Sequence, residues 1–321
     1  MLSYITRRVL FSIPVLLVAS FLLFGSVRLT FDPTARLAQS RDPGVVQRER
    51  ERLGLDRPIP IQYADWLGDF VQGDWGESSR SRQEVFPVVR HALWNTVQLI
   101  FWGIALSAVI AVAIGVYSAV RQYSLSDYAF TGLSFLGLAM PPFWFGLIAI
   151  QFLAVYPKDW FGLSETPLYF LGLHSAGSSG INMDYLRHLV LPVLTLTVQI
   201  VASWSRYQRA SMLDALSADY VRTARAKGLK RRTVLKHALR NALIPLVTVM
   251  ALDIGALFGG LVVTEQIFSV PGMGRLFIES LIRGDANVLV AWMLITATFI
   301  ILFNLIADVL YSVLDPRIRY A

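Results

Sequence analysis

Long apolar runs, nearly free of charge, alternate with shorter polar stretches along the whole chain. Six runs come close to or exceed the length of about 20 residues that a helix needs to cross the hydrocarbon core of a bilayer. They cover about residues 9–29, 94–119, 129–154, 188–207, 242–263 and 289–314. In lipid, an open chain satisfies all its backbone N–H and C=O groups only as a helix. The pattern predicts an all-α integral membrane protein with six transmembrane helices. The fourth run is the least regular, because it holds Pro192, several Thr residues and Gln199. The first follows Arg7 and Arg8, outruns the roughly 7–15-residue core of a secretory signal and ends without an Ala-x-Ala pattern. It is expected to stay as an uncleaved span.

The polar stretches divide the chain further. Residues 1–29 form the N-terminus and first span, 30–92 a sizeable cap segment, and 93–321 a core of five spans with a basic loop at 208–241. Within the cap, the pattern predicts an amphipathic helix at 44–53, an extended Pro58-Ile59-Pro60, a helix from Gln62 to Val71 and then the turn Gly73-Asp74-Trp75-Gly76. Lys and Arg in short loops mark the cytoplasmic side. Arg7, Arg8, Arg121, the 208–241 loop, Arg317 and Arg319 all fall on one side, so both termini are expected in the cytoplasm and the cap outside. The 30–92 segment is long and nearly balanced in charge, so it carries no weight in this assignment.

Composition agrees with a lipid-facing surface: 55% of residues are hydrophobic and only 16% charged, against roughly 45–50% and 25% in soluble domains. The net charge of +7 sits mainly in one loop between apolar runs, which argues against nucleic acid as a partner. Cysteine is absent, which excludes disulfides, thiolate metal sites and a Cys nucleophile. His91, His174, His188 and His237 show no metal-ligand spacing. No Gly-x-x-x-x-Gly-Lys-Ser/Thr loop is present, so the chain lacks that route to nucleotide hydrolysis. No cofactor of its own is expected.

The basic loop carries the sharpest local pattern. Asp219 to Gly228 reads as a short helix in which Ser217 or Asp219 caps the start and Gly228 supplies the left-handed end. Ala224 and Gly228 lie four apart on one face, where small side chains admit another surface closely. Positive-inside anchoring alone needs charge, and does not account for small residues there.

Arg222-Thr223-Ala224-Arg225-Ala226-Lys227-Gly228 followed by Leu243-Ile244-Pro245 resembles the EAA loop of ABC-type import permeases, and within them the dipeptide, oligopeptide and nickel branch. Arg222 and Thr223 stand where the general pattern has Glu and Ala, and the Gly-to-Pro spacing is longer; both departures resemble that branch. Matching stretches run through the chain: Gly54-Leu55-Asp56-Arg57-Pro58 with Gln62-Tyr63, Gly73-Asp74-Trp75-Gly76-Glu77-Ser78, Met140-Pro141-Pro142-Phe143-Trp144, Glu265-Gln266-Ile267-Phe268 with Pro271-Gly272-Met273-Gly274, and Asp315-Pro316-Arg317. The resemblance implies a permease of the MetI-like type in a bacterial plasma (inner) membrane. It implies a second homologous permease, two ABC ATPase subunits that bind ATP and Mg, and an extracytoplasmic solute-binding protein. It implies a coupling helix that docks on an ATPase, with Asp219, Tyr220, Arg222, Ala224, Arg225, Lys227 and Gly228 as its residues. The implied substrate is a di- or oligopeptide, with nickel or another small solute as the alternative. A stand-alone secondary transporter would instead show inverted repeats, and none is visible.

Candidates for the translocation pathway come from polar and special residues in or beside the spans. Pro141 and Pro142 interrupt the third span, either lining a water-filled path or making a packing kink. Asp253 is an intramembrane carboxylate, and such groups face a cavity or a partner; it either meets a substrate amino group or cation, or pairs structurally. Glu265 is a further candidate, and Phe268 with the Pro271–Gly274 turn is read as a rim. Asn304 and Asp308 are expected to hydrogen-bond between helices. Gly255 and Gly259 form a small-xxx-small pair that suits close packing against the partner permease or within the chain.

Overall fold

The computed structural model describes residues 2–32, 34 and 43–314. The Asp315-Pro316-Arg317 stretch and Arg319 lie outside them. Thirteen helices build the described part: α1 (Leu2–Thr30), α2 (Pro43–Arg52), α3 (Ile59–Gln72), α4 (Val85–Val120), α5 (Leu125–Ala139), α6 (Pro142–Ile150), α7 (Tyr156–Phe161), α8 (Met183–Ser217), α9 (Asp219–Ala226), α10 (Arg231–Leu257), α11 (Val262–Ile267), α12 (Met273–Arg283) and α13 (Ala286–Leu314). A five-residue π-helical stretch, Gln151–Val155, joins α6 to α7. Five helices, α1, α4, α8, α10 and α13, are long and apolar enough to cross a membrane. The protein is an all-α, multi-pass membrane protein.

The remaining expected span departs from a simple kink. Between Ala139 and Pro142 the chain turns by 103°, so the 129–154 run is two helices, α5 and α6–α7, rather than one bent rod. Proline explains the break. Pro142 opens α6, where its missing N–H costs nothing, and it cannot donate back into α5. The Met140 carbonyl left over accepts a hydrogen bond from the Gln199 side-chain amide at 2.9 Å. The polar residue that made the fourth run look weak as a span is thus the partner that the broken one needs.

Other boundaries move for equally local reasons. The fourth run becomes a 35-residue helix that carries Pro192 internally. α10 ends at Leu257, earlier than the run through 263, and the chain passes through Gly260 at φ +102° before α11 begins. The expected extended Pro58-Ile59-Pro60 is instead the start of α3, with proline in the first turn. Gly73 closes α3 with a left-handed φ of +95°, the usual glycine role at a helix end.

α4 and α8 form the central pair, and close approach shapes their seam: a Cβ on Gly115 would lie 2.7 Å from the Gln208 Cβ. α10 packs on α8 and α13, α1 on α13, and α5 and α6 on α8. On α1, the side chains of Leu10, Phe11, Val18 and Leu22 are all exposed, as a lipid-facing surface requires. Gly255 settles between its two readings inside the chain, since its Cβ would sit 2.9 Å from the Cβ of Phe303 on α13. Asp308 pairs with Arg8 of α1 at 3.1 Å, which joins first and last spans; Asn304 is exposed.

The cap is tied to the bundle by aromatic packing and hydrogen bonds. Tyr63 of α3 meets Ser20 of α1 at 2.6 Å, and its ring contacts Phe21 and Phe24. Ser78 and Ser79 donate to the buried Asp285 carboxylate, and Asn287 donates to the Glu77 carbonyl at 2.8 Å. The Gly73–Ser78 stretch is therefore a clamp on the α12–α13 turn.

Candidate functional site

Two sites emerge, one at each end of the bundle. At the basic end, α9 is an eight-residue helix held by one deeply buried side chain. Val221 is 0% exposed and belongs to a buried cluster with Met212 and Ala215 of α8, Val234, Ala238 and Ala242 of α10, and Ala119 of α4, in which α9 itself rests on α8 and α10. Tyr220, Arg222, Thr223, Arg225 and Ala226 of the helix, and Lys227 and Gly228 just past it, are all exposed.

Details of this helix differ from the sequence reading. The N-cap position is Ala218, without a side-chain cap, and the Ser217 hydroxyl donates backward to the Asp214 carbonyl at 2.9 Å. Neither Ser217 nor Asp219 caps the start. The far end matches closely: Gly228 has φ +74°, its N–H donates to the Arg225 carbonyl, and the Leu229 N–H donates to the Ala224 carbonyl. These are the two bonds of a Schellman ending. Ala224 does not share the open face with Gly228. It is half-buried against the Val221 cluster, and a Cβ on Gly228 would meet nothing within 4 Å. The small residue at 224 lets α9 seat on its own chain.

Beside this helix lies a clamp that spacing did not reveal. Arg209 of α8 grips Asp127 of α5 with two hydrogen bonds of 2.7 Å. Asp127 is buried and also accepts from the Tyr123 N–H, while Ser124 caps α5 by accepting from the Asp127 N–H. Bidentate pairs of this kind are strong and geometrically specific. The Ser-x-x-Asp spacing at 124–127 signals the cap of α5 but not the Arg209 partner.

At the cap end, the Glu265 to Gly274 stretch forms a lock around one carboxylate. Glu265 is 0% exposed. Its Oε1 accepts from the Thr96 hydroxyl of α4 at 2.7 Å, and its Oε2 from the Arg275 N–H at 2.9 Å. Thr96 in turn accepts from the Met273 N–H, and the Trp292 indole donates to the Met273 carbonyl at 2.7 Å. Glu265 thus caps α12, where the first N–H groups lack helical partners and a negative charge is favoured. Burial pushes its carboxyl above its ordinary range, opposed by the hydrogen bonds from Thr96 and the Arg275 amide. The glycines are steric necessities: a Cβ on Gly272 would lie 2.4 Å from the Glu265 Cδ, and one on Gly274 would lie 2.7 Å from the Val262 Cα.

The pathway candidates do not gather at one place. Glu265 and Phe268 are both fully buried within the chain rather than on an open rim. Pro141 is exposed at the α5–α6 break. Asp253 is half-buried on α10 and accepts from the indole N–H of the fully buried Trp204 at 2.7 Å. It has an intrachain partner, although a neutral one.

The sequence itself matches models of two families of known proteins. Residues 111–320 match the binding-protein-dependent transport system inner membrane component, and residues 1–99 match the N-terminal part of such membrane components. This chain belongs to the binding-protein-dependent permease family. Among curated relatives, the permease is 42% identical over all of both chains to an oligopeptide transport system permease protein, AppB, of Bacillus subtilis. It is 37% identical to a di/tripeptide transport system permease protein of Pseudomonas aeruginosa, covering 100% of this chain and 99% of the relative. It is 38% identical to an oligopeptide transport system permease protein of Mycobacterium bovis, covering 99% of each chain. The permease is thus a transport subunit of an ABC system.

Proposed function

We propose that this permease is one of two channel-forming subunits of an ATP-driven importer for short peptides in a bacterial inner membrane, with both termini and α9 in the cytoplasm. The carrying observation is the seating of α9: one buried valine joins it to the ends of α8 and α10, while its outer face is open. Two ABC ATPase subunits supply the energy, binding ATP and Mg, and one of them receives α9. A second homologous permease completes the pathway, an extracytoplasmic solute-binding protein delivers substrate to the cap side, and lipid surrounds the assembly. The chain carries no cofactor of its own.

Peptides are favoured over nickel because the relatives above are named for oligopeptides and di/tripeptides. Transport proceeds by alternating access. A push on α9 moves the ends of α8 and α10 together, and the Arg209–Asp127 clamp passes the motion to the broken helix pair. Asp253, fixed in orientation by Trp204, and the Pro141–Pro142 break border the path between the two permeases.

Reconstitution of the full assembly in liposomes tests this reading. Peptide uptake requires ATP, the ATPases and the binding protein, and Gly228→Asp reduces uptake per ATP hydrolysed. Solute movement by this chain alone, on ATP or an ion gradient, would contradict it.

A further inference from the structure

A groove of about 760 Å³ opens at the cap end between the first turns of α4 and the start of α12. That volume falls within the roughly 300–1,000 Å³ of small-ligand sites. Pro87, Val88, Ala92 and Leu276 contribute apolar lining, and Pro271 and Gly272 lie over the buried Glu265. This part of the lining is fixed in place, since the Asn95 amide donates to the Pro271 carbonyl at 3.0 Å and the carboxylate lock holds α12. Three charged side chains face the same groove, Glu84 at the start of α4 and the ion-paired Arg275 and Glu279 of α12. Glu84 makes no cap hydrogen bond and no ion pair among the described residues. Arg275 is tied to Glu279 through Nε alone, at 2.8 Å, so the Nη groups of its fork make no hydrogen bond among the described residues.

We propose that this groove receives a short zwitterionic peptide on its way to the pathway, with the ammonium at Glu84 and the carboxylate at Arg275. An apolar trough with one unpaired anion, Glu84, and the open Nη donors of Arg275, whose Nε alone is taken by Glu279, matches a di- or tripeptide with free termini. A blocked terminus leaves one of those charges unmatched. The inference rests on the import reading above and adds a site to it.

The absence of cysteine from the chain makes the groove directly addressable, because Val88→Cys places its single thiol there. In the assembled complex, maleimide labelling of that thiol is followed on this chain by mass. Ala-Ala at ten times its half-protecting concentration slows labelling about tenfold by mass action. N-acetyl-Ala-Ala and Ala-Ala-amide protect less well. Glu84→Gln weakens protection by Ala-Ala about two- to fivefold, the range of an exposed charge pair, and leaves protection by N-acetyl-Ala-Ala unchanged. Three results overturn the proposal: no protection by Ala-Ala in a complex that imports it, equal protection by the blocked peptides, or a thiol shielded by the partner permease or by empty binding protein. Peptide uptake by the same complex in liposomes is scored separately. Its absence refutes the import reading, whereas protection without uptake leaves the groove as a binding site.

Discussion

Replacing Gly272 by alanine isolates the cap-end lock. Gly272 precedes α12 with φ −102° and ψ −173°, a conformation open to any residue, so backbone strain contributes nothing. The added methyl would lie 2.4 Å from the Glu265 Cδ and Oε1 and 2.7 Å from Oε2. Ordinary contact is about 1 Å longer, so the carboxylate has to move by about that much. Its bonds of 2.7 Å to Thr96 and 2.9 Å to the Arg275 N–H would then exceed hydrogen-bonding range. At about 1.5–3 kcal/mol for each bond to a charged group, the loss is about 3–6 kcal/mol. Gly68→Ala on exposed α3 is the control, because no atom lies within 4 Å of its new Cβ and alanine favours a helix by about 0.5–1 kcal/mol. Thermal unfolding of the detergent-purified complex, followed by fluorescence, gives the readout. Gly272→Ala lowers the midpoint by several degrees, and Gly68→Ala leaves it level or raises it. In Glu265→Ala/Gly272→Ala the methyl no longer clashes, so the double variant loses less than the sum of the singles by about 0.5–3 kcal/mol. Equal midpoints for Gly272→Ala and Gly68→Ala, or strict additivity in the cycle, would refute the lock.

Three further perturbations address the other joints. Gln199→Leu strands the Met140 carbonyl at the α5–α6 break and costs about 1–3 kcal/mol, read as a lower unfolding midpoint, while Gln199→Glu removes the donor with little change in volume and behaves alike. Asp127→Asn or Arg209→Gln alone breaks this half-buried pair at a cost of about 1.5–3 kcal/mol, and the double substitution costs less than their sum; independent effects would show that the two side chains do not act together. Gly228→Ala forces a Cβ into φ +74° at about 1–2 kcal/mol, whereas Gly228→Asn tolerates that region better, so uptake per ATP falls further for alanine than for asparagine. Equal uptake by both would remove the left-handed ending from the coupling mechanism.

What the sequence made legible follows the reach of each signal. Length and apolarity located the spans, because lipid imposes one solution on an open chain. Local rules found the Gly228 and Gly73 endings, where a single residue type meets a single backbone conformation. They failed wherever a partner came from far along the chain. Thr96 and Glu265 are 169 residues apart, Ser78 and Asp285 are 207 apart, and Arg209 and Asp127 are 82 apart. No local pattern announces such pairs. The proline pair announced a disturbance, but not that Gln199 would arrive from α8 to satisfy the carbonyl left at a turn of 103°. Ala224 shows the opposite error. Its spacing to Gly228 was read as one open face, yet Val221 decides which side turns inward.

The two ends of the molecule are joined by one long helix. α8 runs for 35 residues, about 52 Å at 1.5 Å per residue, from Tyr185 near the cap end to Ala215 in the Val221 cluster. Its seam with α4 leaves no slack at Gly115, where the Gln208 side chain and the Ser205 carbonyl would both lie within 3 Å of an added Cβ. α4 in turn carries Thr96, the residue that holds the Glu265 carboxylate. On the proposed coupling, a displacement of α9 has two places to go. It can pass along α4 and α8 as a unit and bear on the α12 lock, or it can be absorbed at the α5–α6 break, where one side-chain hydrogen bond spans the turn. Packed cores are bistable rather than continuously deformable, and the locked cap end resists more than the break does. On the proposed coupling, motion from the basic end is expressed first at Met140–Pro142, and the cap-end lock yields only when the Glu265 bonds break together.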